Sequence, residues 1–317
     1  SQKRTSGNVE FRRRKLGKIK MELGIFGSSR NVEDLKKQVQ EANDLGYSTF
    51  WTPQIFNLDA LTALAVVAES VEGIRLGTSV IPTYPRHPMM LAQQALTVNQ
   101  VSNGRLDLGI GLSHKPVVEG MWGISFDAPV GHMSDYLQIL MALLHDGTIS
   151  HGGKHLTSRG GIDVPADAPP VLVAALGPQM LKLVGRVADG TVTWMTGPET
   201  IRNHISPVIN AAAEEAGRPV PQVIAAVPVC ITDDTDGAVE HAKRDFGFYG
   251  DLPSYRAMLE REGLENSWDI ALSGSFEQVA EGLQSYAEAG GTQVVAAVYG
   301  ADEDREQTVS ELAKLID

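Results

Sequence analysis

The chain has 317 residues, of which 43% are hydrophobic, and a formal net charge of -12. This length and apolar content allow one large core and are usual for a single α/β barrel. The acidic balance makes nucleic acid and anionic membranes poor partners. Cys230 is the only cysteine, which excludes an internal disulfide and a thiolate metal cluster and gives no sign of an oxidising compartment.

The first 20 residues differ from the rest in charge. Segment 1–20 holds eight of the 27 Lys and Arg residues but only one of the 39 Asp and Glu residues, so the remainder has 19 basic and 38 acidic residues. The apolar stretch that a secretory signal needs does not follow it. We therefore expect 1–20 to be a basic extension outside the natural fold, 21–317 to be one domain, and the protein to be cytoplasmic.

Strand and helix patterns alternate from residue 21 onward. After the capping residue Asn31, Val32, Leu35, Val39 and Ala42 fall on one helical face, whereas short β-branched runs predict strands. The first half is predicted, in order, as strand Glu22–Phe26, helix Val32–Leu45, strand Ser48–Trp51, helix Leu58–Glu69, strand Ile74–Val80, helix Pro88–Val101 and strand Leu106–Ile110.

A longer region, 112–170, follows the fourth strand and is less regular. It contains a predicted helix at His132–His145 and a His-Gly-Gly turn at His151, and we interpret it as an enlarged loop over the active face. Regularity then returns with strand Pro170–Leu176, helix Met180–Ala188, strand Gly190–Met195, helix Glu199–Ala216, strand Val223–Ile231, helices Gly237–Tyr249, Ser254–Glu262 and Phe276–Ala289, strand Gln293–Tyr299 and helix Glu303–Ile316. Eight strands, each followed by helical sequence, predict an α/β fold, the (β/α)8 TIM barrel.

The third strand leads into a stiff, proline-rich loop. Pro82, Pro85 and Pro88 fix the backbone there, so the polar residues between them are held above the carboxyl end of the strand. In parallel α/β proteins ligands bind at that edge. The alternative is that the prolines only terminate a strand.

Two other strand ends carry residues that could bind a ligand or transfer a proton. Segment 172–180 passes from a buried strand through small residues and a Gly-Pro turn into a helix, which is typical of a phosphate site but also of an ordinary barrel turn. Segment 108–114 ends the fourth strand with glycines and presents His114, whose imidazole is suited to proton transfer near neutral pH. The remaining histidines have no metal-ligand spacing, and no G-x-S-x-G motif occurs, so we expect neither a metal site nor a serine hydrolase.

Four segments together resemble the bacterial-luciferase-like superfamily, and most closely its branch that uses the deazaflavin coenzyme F420. They are Trp51-Thr-Pro-Gln-Ile-Phe, Leu76-Gly-Thr-Ser-Val-Ile-Pro-Thr-Tyr-Pro-Arg-His-Pro, Gly104-Arg-Leu-Asp-Leu-Gly-Ile-Gly and Ala188-Asp-Gly-Thr-Val-Thr-Trp-Met. The resemblance covers nearly all of 21–317, and the loop after the third strand is its most specific part.

The resemblance implies a coenzyme site and its residues. The Ser79-Val80 peptide bond would be cis and would support the ring of the flavin or deazaflavin, and segment 174–180 would hold its phosphate. The implied coenzyme-binding residues are Gln54, Thr78, Ser79, Val80, Gly111, Leu112, Ser113, Ala174, Ala175, Leu176, Gly177, Pro178, Gln179 and Met180. The implied substrate-binding residues are Phe56, Thr83, Tyr84, His87 and Trp194.

The chain also departs from its relatives. It has Gln54-Ile55 where many carry Asp-His, His114 where the sugar-phosphate dehydrogenases of the family carry an acid, and 195–198 contains no lysine for a substrate phosphate. These differences argue against glucose-6-phosphate as substrate. His114 is our candidate for the catalytic proton donor or acceptor, with His87 and Gln54 as alternatives and a purely structural role also open.

We therefore expect a coenzyme F420-dependent oxidoreductase that transfers a hydride between the deazaflavin and a small organic substrate. The reaction would reduce an activated C=C or C=N bond or oxidise an alcohol. The alternatives are an FMN-dependent monooxygenase on the same barrel and a non-catalytic flavin-binding protein. The resemblance further implies a homodimer.

Overall fold

A computed structural model describes residues 22–316, so the basic extension predicted at 1–20 lies outside the described residues. In chain order the strands are β1 (Glu22–Phe26), β2 (Thr49–Thr52), β3 (Arg75–Thr78), β4 (Ile81–Pro82), β5 (Leu106–Gly111), β6 (Thr148–Gly152), β7 (Thr157–Gly161), β8 (Val171–Ala174), β9 (Gly190–Trp194), β10 (Gln222–Ile231), β11 (Leu272–Gly274) and β12 (Gln293–Val298).

The helices alternate with these strands. They are α1 (Val32–Asp44), α2 (Ala60–Ser70), α3 (Pro88–Val101), α4 (Lys115–Gly120), α5 (Pro129–Asp146), α6 (Pro178–Val187), α7 (Pro198–Thr200), α8 (Ser206–Glu215), α9 (Thr235–Phe246), α10 (Pro253–Glu262), α11 (Phe276–Glu288) and α12 (Asp302–Leu312). A π-helical turn at Ile201–Ile205 joins α7 to α8, and 3-10 turns lie at Gly247–Asp251, Ser267–Ile270 and Ala313–Leu315.

Eight parallel strands close into a barrel. Their order is β1, β2, β3, β5, β8, β9, β10, β12, and the ring closes because β12 pairs with β1. The predicted (β/α)8 TIM barrel is therefore confirmed. Because all eight strands are parallel, their carboxyl ends meet at one rim, where the chemistry of such barrels lies.

Side chains fill the barrel and cover its outside. Trp51 is the largest side chain in the interior, and its indole N–H donates to Gln293 Oε1 at 2.8 Å. A larger apolar core lies between the strands and the surrounding helices.

Capping side chains fix the starts of α1 and α2. The side chains of Asn31 and Asp59 accept the amide hydrogens of Asp34 and Thr62 at 2.8 and 3.0 Å. Within 22–316, no helix has both the length and the apolar character of a membrane span.

Three sequence predictions need correction. The strand predicted at Ile74–Val80 is interrupted after Thr78 and resumes as β4, because the chain bends at a cis peptide bond. Region 112–170 is only partly an added loop, since α5 packs between α3 and α6 as an ordinary barrel helix. The turn predicted at His151 lies two residues later, at 153–156, because His151 and Gly152 end strand β6, which pairs antiparallel with β7. Alternating exposed and half-buried residues in β6 gave only a weak strand signal.

Candidate active site

The end of the third barrel strand is bent at the Ser79-Val80 peptide bond, which is cis as predicted. The Thr78 hydroxyl donates to Gly109 O at 2.8 Å and accepts from Gly109 N at 2.9 Å, so it ties this bend to β5. A Cβ on Gly109 would lie 1.9 Å from Thr78 O, which only glycine avoids. Thr78 therefore positions the bend and is buried behind it.

A cavity of about 470 Å³ lies over the carboxyl ends of the third to sixth barrel strands. It falls within the size range of small-molecule sites. Eleven of the predicted site residues line it, namely Val80, Gly111, Leu112, Ser113, His114, Ala174, Ala175, Leu176, Gly177, Met180 and Trp194. The structure thus brings together four parts of the chain that lie far apart in the sequence, at Val80, 111–114, 174–180 and Trp194. We call this space the strand 3–6 cavity.

The inner wall of the strand 3–6 cavity is made of small side chains. A Cβ on Gly111 would lie 2.6 Å from Val80 Cγ2 and 3.2 Å from the Cβ of Ala174. The three residues therefore pack as closely as a glycine permits and leave a smooth apolar wall. Such a surface suits the face of a flat ring, because nothing projects from it.

The turn after β8 presents the start of helix α6. Gly177 precedes the helix, Pro178 occupies its first position, and no described side chain caps it. The amide hydrogens of Gln179 and Met180 are thus free for an anion, and the helix dipole favours negative charge there. The His204 ring donates through Nε2 to Leu176 O at 2.8 Å, which fixes the turn from behind.

His114 stands at the rim of the same cavity, immediately before α4. Ser113 has φ +62°, in the left-handed region, so the chain turns sharply there and directs the next residue toward the cavity. The imidazole lies 5.9 Å from the ring of Tyr255, centroid to centroid. Burial lowers the pKa of His114 below its usual value of 6.5. The ring is therefore neutral at pH 7 and can accept a proton.

The outer wall of the strand 3–6 cavity comes from segments that sequence reasoning missed. Residues 252–255 at the start of α10 cover one side, and Lys115, Phe126 and Pro129 cover another. The Glu262 carboxylate anchors the other end of α10, since it accepts the amide hydrogens of Glu199 at 3.0 Å and Thr200 at 2.8 Å. These contacts join segments more than sixty residues apart, and no local sequence pattern predicts them.

Several predicted residues lie away from this cavity. The Gln54 side chain accepts the Ala60 amide hydrogen at 2.7 Å and so caps α2, while Phe56 is exposed. The Thr83 hydroxyl lies 3.1 Å from His132 Nε2, and Tyr84 stacks on the same imidazole.

His87 also serves a structural role. Its ring lies 3.2 Å from Thr157 O and accepts the Met89 amide hydrogen at the start of α3. Ser79, Pro178 and Gln179 adjoin the cavity in sequence without lining it. Within 22–316, no three His, Cys, Asp or Glu side chains come together as metal ligands.

Known proteins share both sequence and fold with this chain. The 5,10-methylenetetrahydromethanopterin reductase of Methanopyrus kandleri is 27% identical over 269 residues, which cover 77% of this chain and 73% of that protein. The solved structure of the coenzyme F420 dependent tetrahydromethanopterin reductase from the same organism superposes with a TM-score of 0.79 over 93% of this chain and 98% of that one, at 23% identity.

Two further structures share the fold at 18% identity and 93% coverage of this chain. One is an F420-dependent secondary alcohol dehydrogenase in complex with an F420-acetone adduct, with a TM-score of 0.80 and 98% of that chain covered. The other is the oxygenating constituent of 3,6-diketocamphane monooxygenase from Pseudomonas putida in complex with FMN, with a TM-score of 0.71 and 97% covered. The family model described as luciferase-like monooxygenase matches residues 21–293, and the chain therefore belongs to that family, as its motifs predicted.

Proposed function

We propose that this protein is a coenzyme F420-dependent oxidoreductase that transfers a hydride between the deazaflavin and a small, uncharged or weakly polar organic substrate. The main support is the strand 3–6 cavity, where the smooth wall of Val80, Gly111 and Ala174 meets the uncapped start of α6. A flat ring joined by a short chain to a phosphate needs these two features at one site. The 27% identity to a methylenetetrahydromethanopterin reductase supports the same class of enzyme.

The residues of the cavity fit the two ends of such a coenzyme. Val80 and Gly111 would support the ring, and the start of α6 at Gly177 and Met180, which both line the cavity, would hold the phosphate. Leu112 and Ser113 would flank the ring from the β5 end. When bound, the deazaflavin supplies the hydride chemistry, while the protein supplies orientation and electrostatics.

His114 is the proposed proton carrier. Its burial favours the neutral imidazole at pH 7, so it is ready to accept the proton of an alcohol that is being oxidised. Once protonated, the same group is a stronger acid than an ordinary imidazolium and returns the proton readily in the reverse direction. The side chains of Tyr255 and Phe126 form part of the apolar lining of the cavity in which this transfer would take place.

Titration of the purified protein with oxidised F420 and with FMN tests the assignment. The proposal predicts saturable binding of F420 with a perturbed absorbance spectrum, followed by turnover with at least one member of a panel of enones, imines and alcohols. Failure to bind F420 would reject the coenzyme. Binding without any turnover would instead support the non-catalytic alternative.

An FMN-dependent monooxygenase is the second candidate. It is favoured by the fold likeness to the FMN complex of a Baeyer-Villiger monooxygenase, and both coenzymes carry a ring and a phosphate of similar spacing. Oxygen consumption in the presence of reduced FMN separates the two. The F420 proposal predicts no substrate-dependent oxygen consumption.

We further propose a cytoplasmic homodimer. Ile55, Phe56 and Met90 are large apolar side chains that remain exposed near the starts of α2 and α3, and a second copy of the chain would bury them. Light scattering of the purified protein should give twice the monomer mass. The double variant Phe56→Glu with Met90→Glu should give the monomer mass, and an unchanged mass would place any dimer contact elsewhere.

A further inference from the structure

A second cavity, of about 480 Å³, opens between α1 and α12 above the ends of β1 and β12. We call it the α1–α12 cleft. None of the residues predicted for the coenzyme lines it, and among those predicted for the substrate only Trp194 does. Its volume is close to that of the strand 3–6 cavity, and it falls in the range of a small-molecule site.

The inner wall of the α1–α12 cleft is aromatic. Phe26 and Trp194 are stacked with centroids 6.2 Å apart and planes 21° from parallel. Phe246 meets Trp194 edge-on at 5.9 Å, and Tyr299 meets Phe246 at 5.4 Å. Four contiguous rings form a wall against which a flat, unsaturated molecule can stack or pack edge-on.

Trp194 links the two cavities, because it lines both of them. It is the last residue of β9, so its indole stands at the barrel rim. A molecule held against Phe26 and Trp194 therefore lies next to the space assigned above to the coenzyme ring. This adjacency distinguishes the cleft from an unrelated surface groove.

The charges at the mouth of the cleft disfavour an anionic ligand. Glu41, Asp245 and Glu306 line it together with two arginines, Arg244 and Arg305. Arg244 is already paired with Asp245 at 2.8 Å. One guanidinium therefore faces two carboxylates, which is a poor environment for a phosphate or a dicarboxylate.

We propose that the α1–α12 cleft binds the organic substrate, and that this substrate is a flat, conjugated, uncharged molecule such as an aryl-substituted enone. The inference rests on the proposed function, since it assumes that the neighbouring cavity holds the coenzyme. It moves the substrate from the loops at 54–56 and 83–87, which follow β2 and β3, to the ends of β1 and β12. Reduction of the C=C bond of such an enone takes one hydride, which reduced F420 would supply and thereby become oxidised, and one proton added to the neighbouring carbon.

A matched pair of substitutions on α12 tests this site. Glu306 is exposed and lines the cleft, whereas Glu303 is exposed on the same helix and does not. Glu306→Trp should fill the mouth of the cleft, and Glu303→Trp makes the same change of charge and size elsewhere. The probe is benzylideneacetone, and its binding to coenzyme-free protein is measured by calorimetry, in parallel with a separate F420 titration and a thermal melt.

The proposal predicts that Glu306→Trp weakens probe binding at least tenfold while F420 affinity and melting temperature match those of Glu303→Trp. Probe binding that is absent in the wild type, unchanged in Glu306→Trp or abolished by saturating F420 would overturn it. A failure of the proposed function is recognised separately, because in that case the F420 titration itself shows no binding.

Discussion

Replacement of Gly111 by alanine tests the coenzyme wall most sharply. The new methyl group would lie 2.6 Å from Val80 Cγ2 and 3.2 Å from Ala174 Cβ, which is closer than atoms pack without displacement. Val80 lines the strand 3–6 cavity, so in the coenzyme-free protein its side chain can move into the open space. A ring bound against Val80 would fill that space, so the clash would destabilise the coenzyme-bound protein and not the free protein.

The magnitude follows from the cost of overpacking. Inserting one methyl group into a tightly packed site costs about 1 to 3 kcal/mol. If this cost is confined to the bound state, the Kd for F420 rises by about 5-fold to 150-fold, at about 1.4 kcal/mol per factor of ten. The free energy of unfolding of the coenzyme-free protein should change much less.

Calorimetric titration with F420 and a thermal melt measure the two effects. Gly120→Ala is the matched control, because a Cβ on Gly120 meets nothing within 4 Å and the residue lies outside the cavity. An unchanged Kd in Gly111→Ala would mean that no ring rests on Val80. A large decrease in the melting temperature would mean that the added methyl group destabilises the coenzyme-free fold instead.

Three other substitutions give distinct outcomes. His114→Ala should lower kcat about 100-fold to 10,000-fold with little change in F420 affinity, and unchanged kcat would exclude His114 as the proton carrier. Burial lowers the pKa of His132 from 6.5 to about 4, so the folded state binds fewer protons than the unfolded state and loses stability as pH falls through that window. Urea unfolding should show a smaller loss between pH 7 and pH 5 in His132→Gln, and an equal loss would contradict this. Glu262→Gln replaces one of the two oxygens that accept the amide hydrogens of α7 with an NH2 donor and should lower the free energy of unfolding by about 1 to 3 kcal/mol. Unchanged urea unfolding would show that this contact does not anchor α10.

The sequence predicts what depends on local patterns. Alternating strand and helix periodicity predicts the barrel. The family resemblance carried by the motif around the third strand implies the cis bond at Ser79-Val80, which the structure confirms. Segments 111–114 and 174–180 were both expected at the active face, and parallel strands bring their ends to one rim. The residues along the inner wall of the strand 3–6 cavity were thus predictable.

The rest depends on contacts between distant segments. Thr83 and Tyr84 pack against His132, which follows them by almost fifty residues, so they turn away from the strand 3–6 cavity. The Gln54 side chain instead accepts the Ala60 amide hydrogen at the start of α2 and is therefore directed away from the cavity. Tyr255 reaches the cavity because Glu262 anchors α10, and no periodicity encodes that contact.

The most direct test of the central claim is anaerobic mixing of reduced F420 with the protein and a flat enone, with the absorbance of the oxidised coenzyme followed in time. The proposed function predicts that oxidised F420 appears in step with the saturated ketone, and that His114→Ala slows both together. Absence of coenzyme oxidation with every enone, imine and ketone tested, combined with oxygen-dependent turnover of reduced FMN, would contradict it.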